Sequence, residues 1–468
     1  MHDILIVGGG YAGFYAAWTL EKRLRRGEAR VTVVDPRGYM TYQPFLPEVA
    51  AGSVEARHTL VPLRSHLRRT RVMTGHVIRI DHARRTAHVR TPDSRDHALA
   101  YDTLVVTAGA VTRTFPVPGL ATEAIGLKTV EEAVAVRDRV LTAFARAAEL
   151  PPGRERAKEL TVTVVGGGFT GVELVGELLA LGKDLLRRYP EIGADEPAFH
   201  LVEARDRILP EVTDAPGRWV VRHLESRGGH VHLDTQLRSA AGGHVVLSTG
   251  EEFDTGLLVW AAGNGSHPVV ANRTDLPVDE RGLLRVRADL RVGTDDAPVP
   301  GAWAAGDNAA VPDLAAGDPP ARTVPNAQHA VRQGRLLARN IVADLRGRAP
   351  RPYLHHSLGV VATLGHGHGI FQYRRIVVRG RLAWLMHRGY HVLAVPTWER
   401  KVRVALGWLA AGVFGRDLTP LPDIGRPRQA ILAGGDPDLV LPPVPADAGP
   451  RSSADAGLRS PAGALAAR

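Results

Sequence analysis

Two glycine-rich turns are the residues in this chain whose types and spacing most plainly could do chemistry. Gly8-Gly9-Gly10-Tyr11-Ala12-Gly13 follows the apolar run Ile4-Leu5-Ile6-Val7, and Gly166-Gly167-Gly168-Phe169-Thr170-Gly171 follows Val162-Thr163-Val164-Val165. Each reads as strand, G-x-G-x-x-G turn and helix, a pattern that cradles a dinucleotide pyrophosphate. The first glycine (Gly8, Gly166) permits a tight turn, and the second (Gly10, Gly168) lets the backbone approach the phosphates. The third (Gly13, Gly171) lets helix and strand pack closely. The helix N-terminus then offers free N–H groups and partial positive charge. An acid closes a later strand in each copy: Asp35 lies 22 residues past Gly13, and Glu203 lies 32 past Gly171. The longer second spacing reads as an insertion over 181–198. A carboxylate at this point accepts hydrogen bonds from ribose hydroxyls and repels a 2′-phosphate, so Glu203 favours NADH over NADPH. Arg205, two residues on, softens that preference.

Two such turns imply two nucleotides, a flavin and a nicotinamide. The chain has no cysteine, which removes the enzymes of this plan that pass electrons through a reactive thiol pair. Electrons must then leave from the flavin itself. A further carboxylate, in Ala305-Gly306-Asp307 after an apolar strand, is placed to hydrogen-bond a flavin's polyol arm; the plain alternative is an Asp that caps a helix.

The elements that must position these groups repeat at domain scale. In 1–112, the fingerprint is followed by the acid-ended strand Val31–Asp35 and by Thr103–Val106, which closes on Thr107-Ala108-Gly109. In 113–279, the same order runs through Phe199–Val202 with Glu203 to Gly256–Trp260, closing on Ala261-Ala262-Gly263. The expected fold is α/β, with two Rossmann-like, doubly wound domains. The flavin domain is split into 1–112 and 280–345, with the nicotinamide domain, 113–279, inserted between. A small unit follows at 346–433, and a Pro-, Ala- and Ser-rich tail, 434–468, reads as disordered.

These residues resemble the type II NADH dehydrogenases, NADH:quinone oxidoreductases within the flavoproteins of pyridine nucleotide-disulfide oxidoreductase type. The resemblance covers roughly 1–430. It rests on both fingerprints, on Tyr42-Gln43-Pro44-Phe45-Leu46-Pro47-Glu48-Val49-Ala50, on Gly171-Val172-Glu173-Leu174, on Gly306-Asp307 and on Asn326-Ala327-Gln328-His329-Ala330. It implies FAD and NADH as cofactors, the fold of glutathione reductase-like flavoproteins and a quinone as electron acceptor. It implies that Glu173 is the proton-linked acid, although a charge favoured by the helix N-terminus is a plain alternative. It places Ala327 and Gln328 at the flavin ring and quinone pocket, where the amide can donate to a quinone carbonyl. One departure is visible: Arg332, followed by Gln333, stands where the family carries a second Gln.

In the C-terminal unit, Trp398, Val402, Ala405, Leu406, Leu409 and Val413 form one helical stripe, with Glu399, Arg400, Lys401 and Arg403 at its start. Such a helix suits an anionic membrane interface; packing on the core, or on a partner in a homodimer, is the alternative. The net charge of +10 agrees with an anionic neighbour, yet a GC-rich genome alone produces Arg-rich chains, and no nucleic-acid motif is present. No apolar run reaches the roughly 18 residues of a spanning helix, and the first strand begins too early for a signal peptide. The expected location is therefore peripheral, at the cytoplasmic face of the cell membrane, without proton pumping. His355, His356, His366 and His368 lack companion ligands at familiar spacing, so no metal site is read there, and Gly365–Gly369 reads as a flexible loop. Two other readings fit the double fingerprint: a reductase of a soluble electron carrier, and a slowly turning flavin redox sensor.

Overall fold

The computed structural model describes residues 1–316 and 321–421; the last part of the 346–433 unit and the 434–468 tail lie outside the described residues. Four- and five-residue apolar runs become strands buried along their whole length, as parallel sheets covered on both faces require. Thr103–Val106, Thr161–Val165 and Leu257–Trp260 show this.

Two sheets carry the chemistry. The first has six strands in the order Arg291–Gly293, Pro298–Ala304, Thr103–Val106, His2–Val7, Ala29–Asp35 and Arg71–Thr74. All of its pairings are parallel except that of the edge strand Arg291–Gly293. The second has five parallel strands, Ala124–Gly126, Leu257–Trp260, Thr161–Val165, Ala198–Val202 and Gly229–His232. Each fingerprint strand lies between its acid-ended partner and the strand closing on a small-residue turn. Val7 pairs with Val34 and Val106, and Val165 with Val202 and Trp260. Strand order therefore reverses at the fingerprint in both sheets, the place where open α/β sheets bind ligands. Pro298–Ala304, from far along the sequence, completes the first sheet.

The helix Ala327–Leu345 lies along the first fingerprint helix, Tyr11–Arg23, at glycine contacts. A Cβ on Gly334 would stand 2.3 Å from the Ala12 carbonyl oxygen. The helix Val130–Glu149 begins at a capping box, with Thr129 and Glu132 each bonding the other's backbone N–H.

A three-stranded antiparallel sheet, Val360–Thr363, Gly369–Tyr373 and Ile376–Arg379, precedes the helices Arg381–Ala394 and Trp398–Phe414. One expectation is corrected here. The stretch Gly365–Gly369 is a tight hairpin turn, not a flexible loop: Leu364 N–H bonds the His368 carbonyl at 2.8 Å and His368 N–H bonds that of Gly365 at 2.9 Å. The extra residues over 181–198 lengthen the helix Phe169–Leu186 and form the connection to the strand Ala198–Val202.

Candidate functional site

The two fingerprint turns share their main features. Gly8 and Gly166 have φ of +94° and +117°, a region that favours glycine. A Cβ on Gly13 or Gly171 would stand 1.9 Å from the carbonyl oxygen of Gly8 or Gly166 respectively. Gly10 and Gly168 differ from these. Each precedes its helix with no side chain capping the first turn, and a Cβ there would meet nothing within 4 Å. Open space above uncapped N–H groups is what an approaching phosphate needs.

The two acids are held alike. Asp35 accepts the Gly9 N–H at 2.6 Å and the Arg37 N–H at 2.7 Å; Glu203 accepts the Gly167 N–H at 2.6 Å and the Arg205 N–H at 2.9 Å. Each carboxylate is fixed with lone pairs left for ribose hydroxyls. Burial raises the Asp35 pKa above the usual carboxylate range, while those two N–H groups work against the shift. Gly109 and Gly263, closing the matching third strands, share left-handed φ of +71° and +88°.

Gly306 and Asp307 line a cleft of about 680 Å³ together with Ala110, Arg113, Asn264 and Gln333. Gly306 is pinned through its N–H to Gln333 Oε1 at 2.8 Å, and Gln333 Nε2 donates to Thr323. Asn308 donates to the Val106 carbonyl and accepts the Gly109 N–H, which ties the closing turn to this segment. No hydrogen bond among the described residues reaches the Asp307 carboxylate. Burial pushes its pKa up, with Lys128 opposing. A half-buried acceptor facing a cleft, with no partner among the described residues, fits the hydroxyls of a polyol chain, and a plain helix-capping role does not account for it.

Other expected residues fall as follows. Tyr11 buries its hydroxyl, edge-on to Tyr42 at 6.0 Å, and the Ala12 side chain lies against Gly306 and the Ala327–Leu345 helix. Ala327 and Gln328 open that helix, capped by Asn326 Oδ1, which accepts the His329 N–H. Arg332 turns back to donate to the Gln328 carbonyl at 3.0 Å, so its neighbour Gln333 is the residue that reaches Gly306. No hydrogen bond or ion pair joins Gln328 to Glu173 among the described residues.

Glu173 belongs to a buried polar cluster that sequence reasoning missed. Its Oε1 accepts the Thr363 N–H at 3.1 Å and lies 3.4 Å from Nε2 of His387, which is fully enclosed. Glu48 approaches the other face of His387, and Glu177 accepts from Ser53 and Thr363. His391 bonds the Tyr42 hydroxyl at 2.9 Å. The signal was present: Glu173 and Glu177, and His387 and His391, are pairs four apart that share a helix face, and the two acids sit in an otherwise apolar run.

The pattern of the pyridine nucleotide-disulphide oxidoreductase family matches residues 2–334, and the chain belongs to that family. Among curated proteins it is similar to a probable NADH dehydrogenase of Dictyostelium discoideum, 26% identical, with 89% of this chain and 90% of that one covered. It is also similar to the type II NADH:quinone oxidoreductase Ndh of Mycobacterium tuberculosis, 27% identical over 87% of each chain. Among solved structures, NDH2 of Plasmodium falciparum in complex with NADH superposes with a TM-score of 0.82 at 18% identity, covering 89% of this chain and 99% of that one. The two-domain flavoprotein fold and the family resemblance read from the sequence are both borne out. The disulphide in the family's name has no counterpart here, since the chain contains no cysteine.

Proposed function

We propose that the chain is an FAD-dependent NADH:quinone oxidoreductase of the type II NADH dehydrogenase kind, acting at an anionic membrane surface. One observation carries the reading: a doubled dinucleotide fingerprint in a chain without cysteine, whose similar proteins include a type II NADH:quinone oxidoreductase matched over 87% of each chain. FAD fits the first sheet, with Gly8, Gly10 and Gly13 at its phosphates and Asp35, Gly109 and Asp307 at its sugar and polyol hydroxyls. NADH fits the second, with Gly166, Gly168, Gly171, Glu203 and Gly263. The fixed Glu203 carboxylate disfavours a 2′-phosphate. When bound, FAD supplies two-electron chemistry between a nicotinamide and a quinone. The protein's residues position and charge that chemistry: Gln328 offers an amide donor to a quinone carbonyl, and Glu173 handles a proton. The test is NADH oxidation by the holoprotein with a short-chain quinone. Gln328→Ala should lower quinone turnover about tenfold, the worth of roughly one hydrogen bond, while leaving flavin reduction by NADH intact. Equal turnover in the variant would remove Gln328 from the acceptor site.

Contact with the membrane rests on the Trp398–Phe414 stripe. Trp398, Leu406, Leu409, Val413 and Phe414 are exposed, Phe414 to 84%, and Leu393 on the preceding helix adds to the patch. Arg400, Lys401 and Arg403 flank it. An apolar face of this extent with basic neighbours suits an anionic lipid interface, and no described helix is long and apolar enough to cross a membrane. We place the protein peripherally on the cytoplasmic face. The paired substitution Leu406→Glu and Leu409→Glu is expected to abolish co-sedimentation with anionic vesicles and leave flavin content unchanged. Retained sedimentation would refute the lipid assignment, and conversion of a dimer to a monomer would assign the face to a second copy.

A further inference from the structure

His387 lies in a cage of charged groups brought together from distant parts of the sequence. Its Nε2 is 3.4 Å from Glu173 Oε1 and its Nδ1 3.8 Å from Glu48 Oε1, and neither nitrogen makes a hydrogen bond of normal geometry among the described residues. Glu48 is 1% exposed. Its Oε2 accepts the indole N–H of Trp408 at 2.9 Å, with Arg388 3.9 Å away, while its Oε1 has no hydrogen-bond partner. Glu177, in contrast, is held by Ser53, Thr363 and Arg416.

The groups that face His387 decide where a proton sits. Glu177 is paired with Arg416, and Asp184 with both Arg187 and Arg416, whereas the guanidinium beside Glu48, that of Arg388, stands 3.9 Å away. His387 faces Glu173 and Glu48 directly, and a buried carboxylate without compensation is costly. His366 and His391 disfavour the proton: burial first, then neighbouring Arg388 or His387, lowers both their pKa values. Burial alone would also lower that of His387, but Glu173, then Glu48 and Glu177, outweigh it, and the net direction is upward. Burial, with Glu177 acting in the same sense, raises that of Glu48 too, while the Trp408 N–H favours its ionised form.

Resting on the quinone reading above, we propose that Glu48 is a positioning residue for the quinone half-reaction: it holds on His387 the proton that Glu173 passes toward the acceptor, and the Trp408 indole ties this function to the Trp398–Phe414 helix. The stoichiometry requires such a proton. In NADH + quinone + H⁺ → NAD⁺ + quinol, the hydride brings both electrons and one hydrogen, so one further proton must arrive from the protein. The His387 N–H bond breaks, an O–H forms on Glu173, and that proton moves to a quinone oxygen. Solvent then reprotonates His387.

The sign of the effect follows. Proton delivery needs protonated His387, so turnover falls as pH rises through its pKa. Removing the Glu48 charge lowers that pKa and moves the alkaline limb to lower pH. The experiment is the pH profile of quinone turnover for the holoprotein, with flavin reduction by NADH followed in parallel. Glu48→Gln should move the alkaline limb down by about one unit, the effect of one nearby opposite charge. Trp408→Phe removes the N–H that favours ionised Glu48, and should move the limb in the same sense by a smaller step. The double variant should add nothing to Glu48→Gln, because both act through one group. A merely structural role would lower rates at every pH and leave the limb where it was. If the wild type turns over quinone and the limb is unmoved in both variants, the role of Glu48 is overturned while the functional reading stands. If the wild type reduces its flavin with NADH but turns over no quinone, both fall together.

Discussion

A Gly168→Val variant is expected to fold, bind its flavin and fail to use NADH. Gly168 sits at φ −71° and ψ −178°, an extended conformation open to any residue, and a Cβ there meets nothing in the protein. The added isopropyl group instead occupies the path of a phosphate toward the uncapped first turn of Phe169–Leu186. Losing two hydrogen bonds to a charged group costs about 3 kcal/mol at the low end, or about 100-fold in the second-order rate of flavin reduction. Stopped-flow reduction by NADH measures it, with thermal melting as the control for folding. Gly10→Val is the mirror experiment, since Gly10 is as open, at φ −69° and ψ −159°. It should yield folded protein without flavin. Gly13 and Gly171 cannot serve this purpose, because there a side chain would collide with backbone and unfolding would mask the loss of ligand. NADH reduction unchanged in Gly168→Val would remove the nucleotide from the second fingerprint.

Asp307→Asn is expected to act in opposite directions on the holoprotein and the apoprotein. With its flavin, the variant loses charge-assisted hydrogen bonds to polyol hydroxyls, worth about 1.5–3 kcal/mol, so the flavin should bind roughly 10- to 100-fold more weakly. Without flavin, the wild type carries a half-buried carboxylate that no donor among the described residues reaches. Its pKa is raised by burial, so the folded state binds the proton more tightly than the unfolded chain does. Stability is therefore highest below the ordinary carboxylate range and declines as pH rises through the unfolded and then the folded pKa. Replacing the acid removes that decline. At neutral pH the apo variant should melt above the apo wild type, and in acid the two should converge. Weaker flavin binding with no gain in apoprotein stability would mean that Asp307 has a protein partner in solution.

The same contrast explains what was legible in the sequence. The fingerprints could be read because each turn, its helix and its strand are local, and the acids Asp35 and Glu203 bond backbone N–H groups of the turns they serve. The cage around His387 could not be assembled this way. Glu48, Glu173, His387 and Trp408 come from four separate segments, and only packing brings them together. The resemblance placed Glu173 at the acceptor site but gave no hint that its nearest ionisable neighbour is an imidazole. Arg332 misled in a smaller way: it drew attention as the departure from the family, whereas its buried neighbour Gln333 makes the contact with Gly306. The hairpin at Gly365–Gly369 escaped because its glycines read as flexibility, while the backbone hydrogen bonds that close it depend on pairing between strands.

The measurement that most directly tests the central claim is a two-step, anaerobic one on the yellow holoprotein. NADH is added to reduce the flavin fully, and a short-chain quinone is then mixed in, with and without anionic vesicles. Rapid reoxidation is expected, with one quinol formed for each NADH consumed. A flavin that NADH reduces but no quinone reoxidises, even on vesicles, would contradict it and turn attention to a soluble electron carrier or a sensing role.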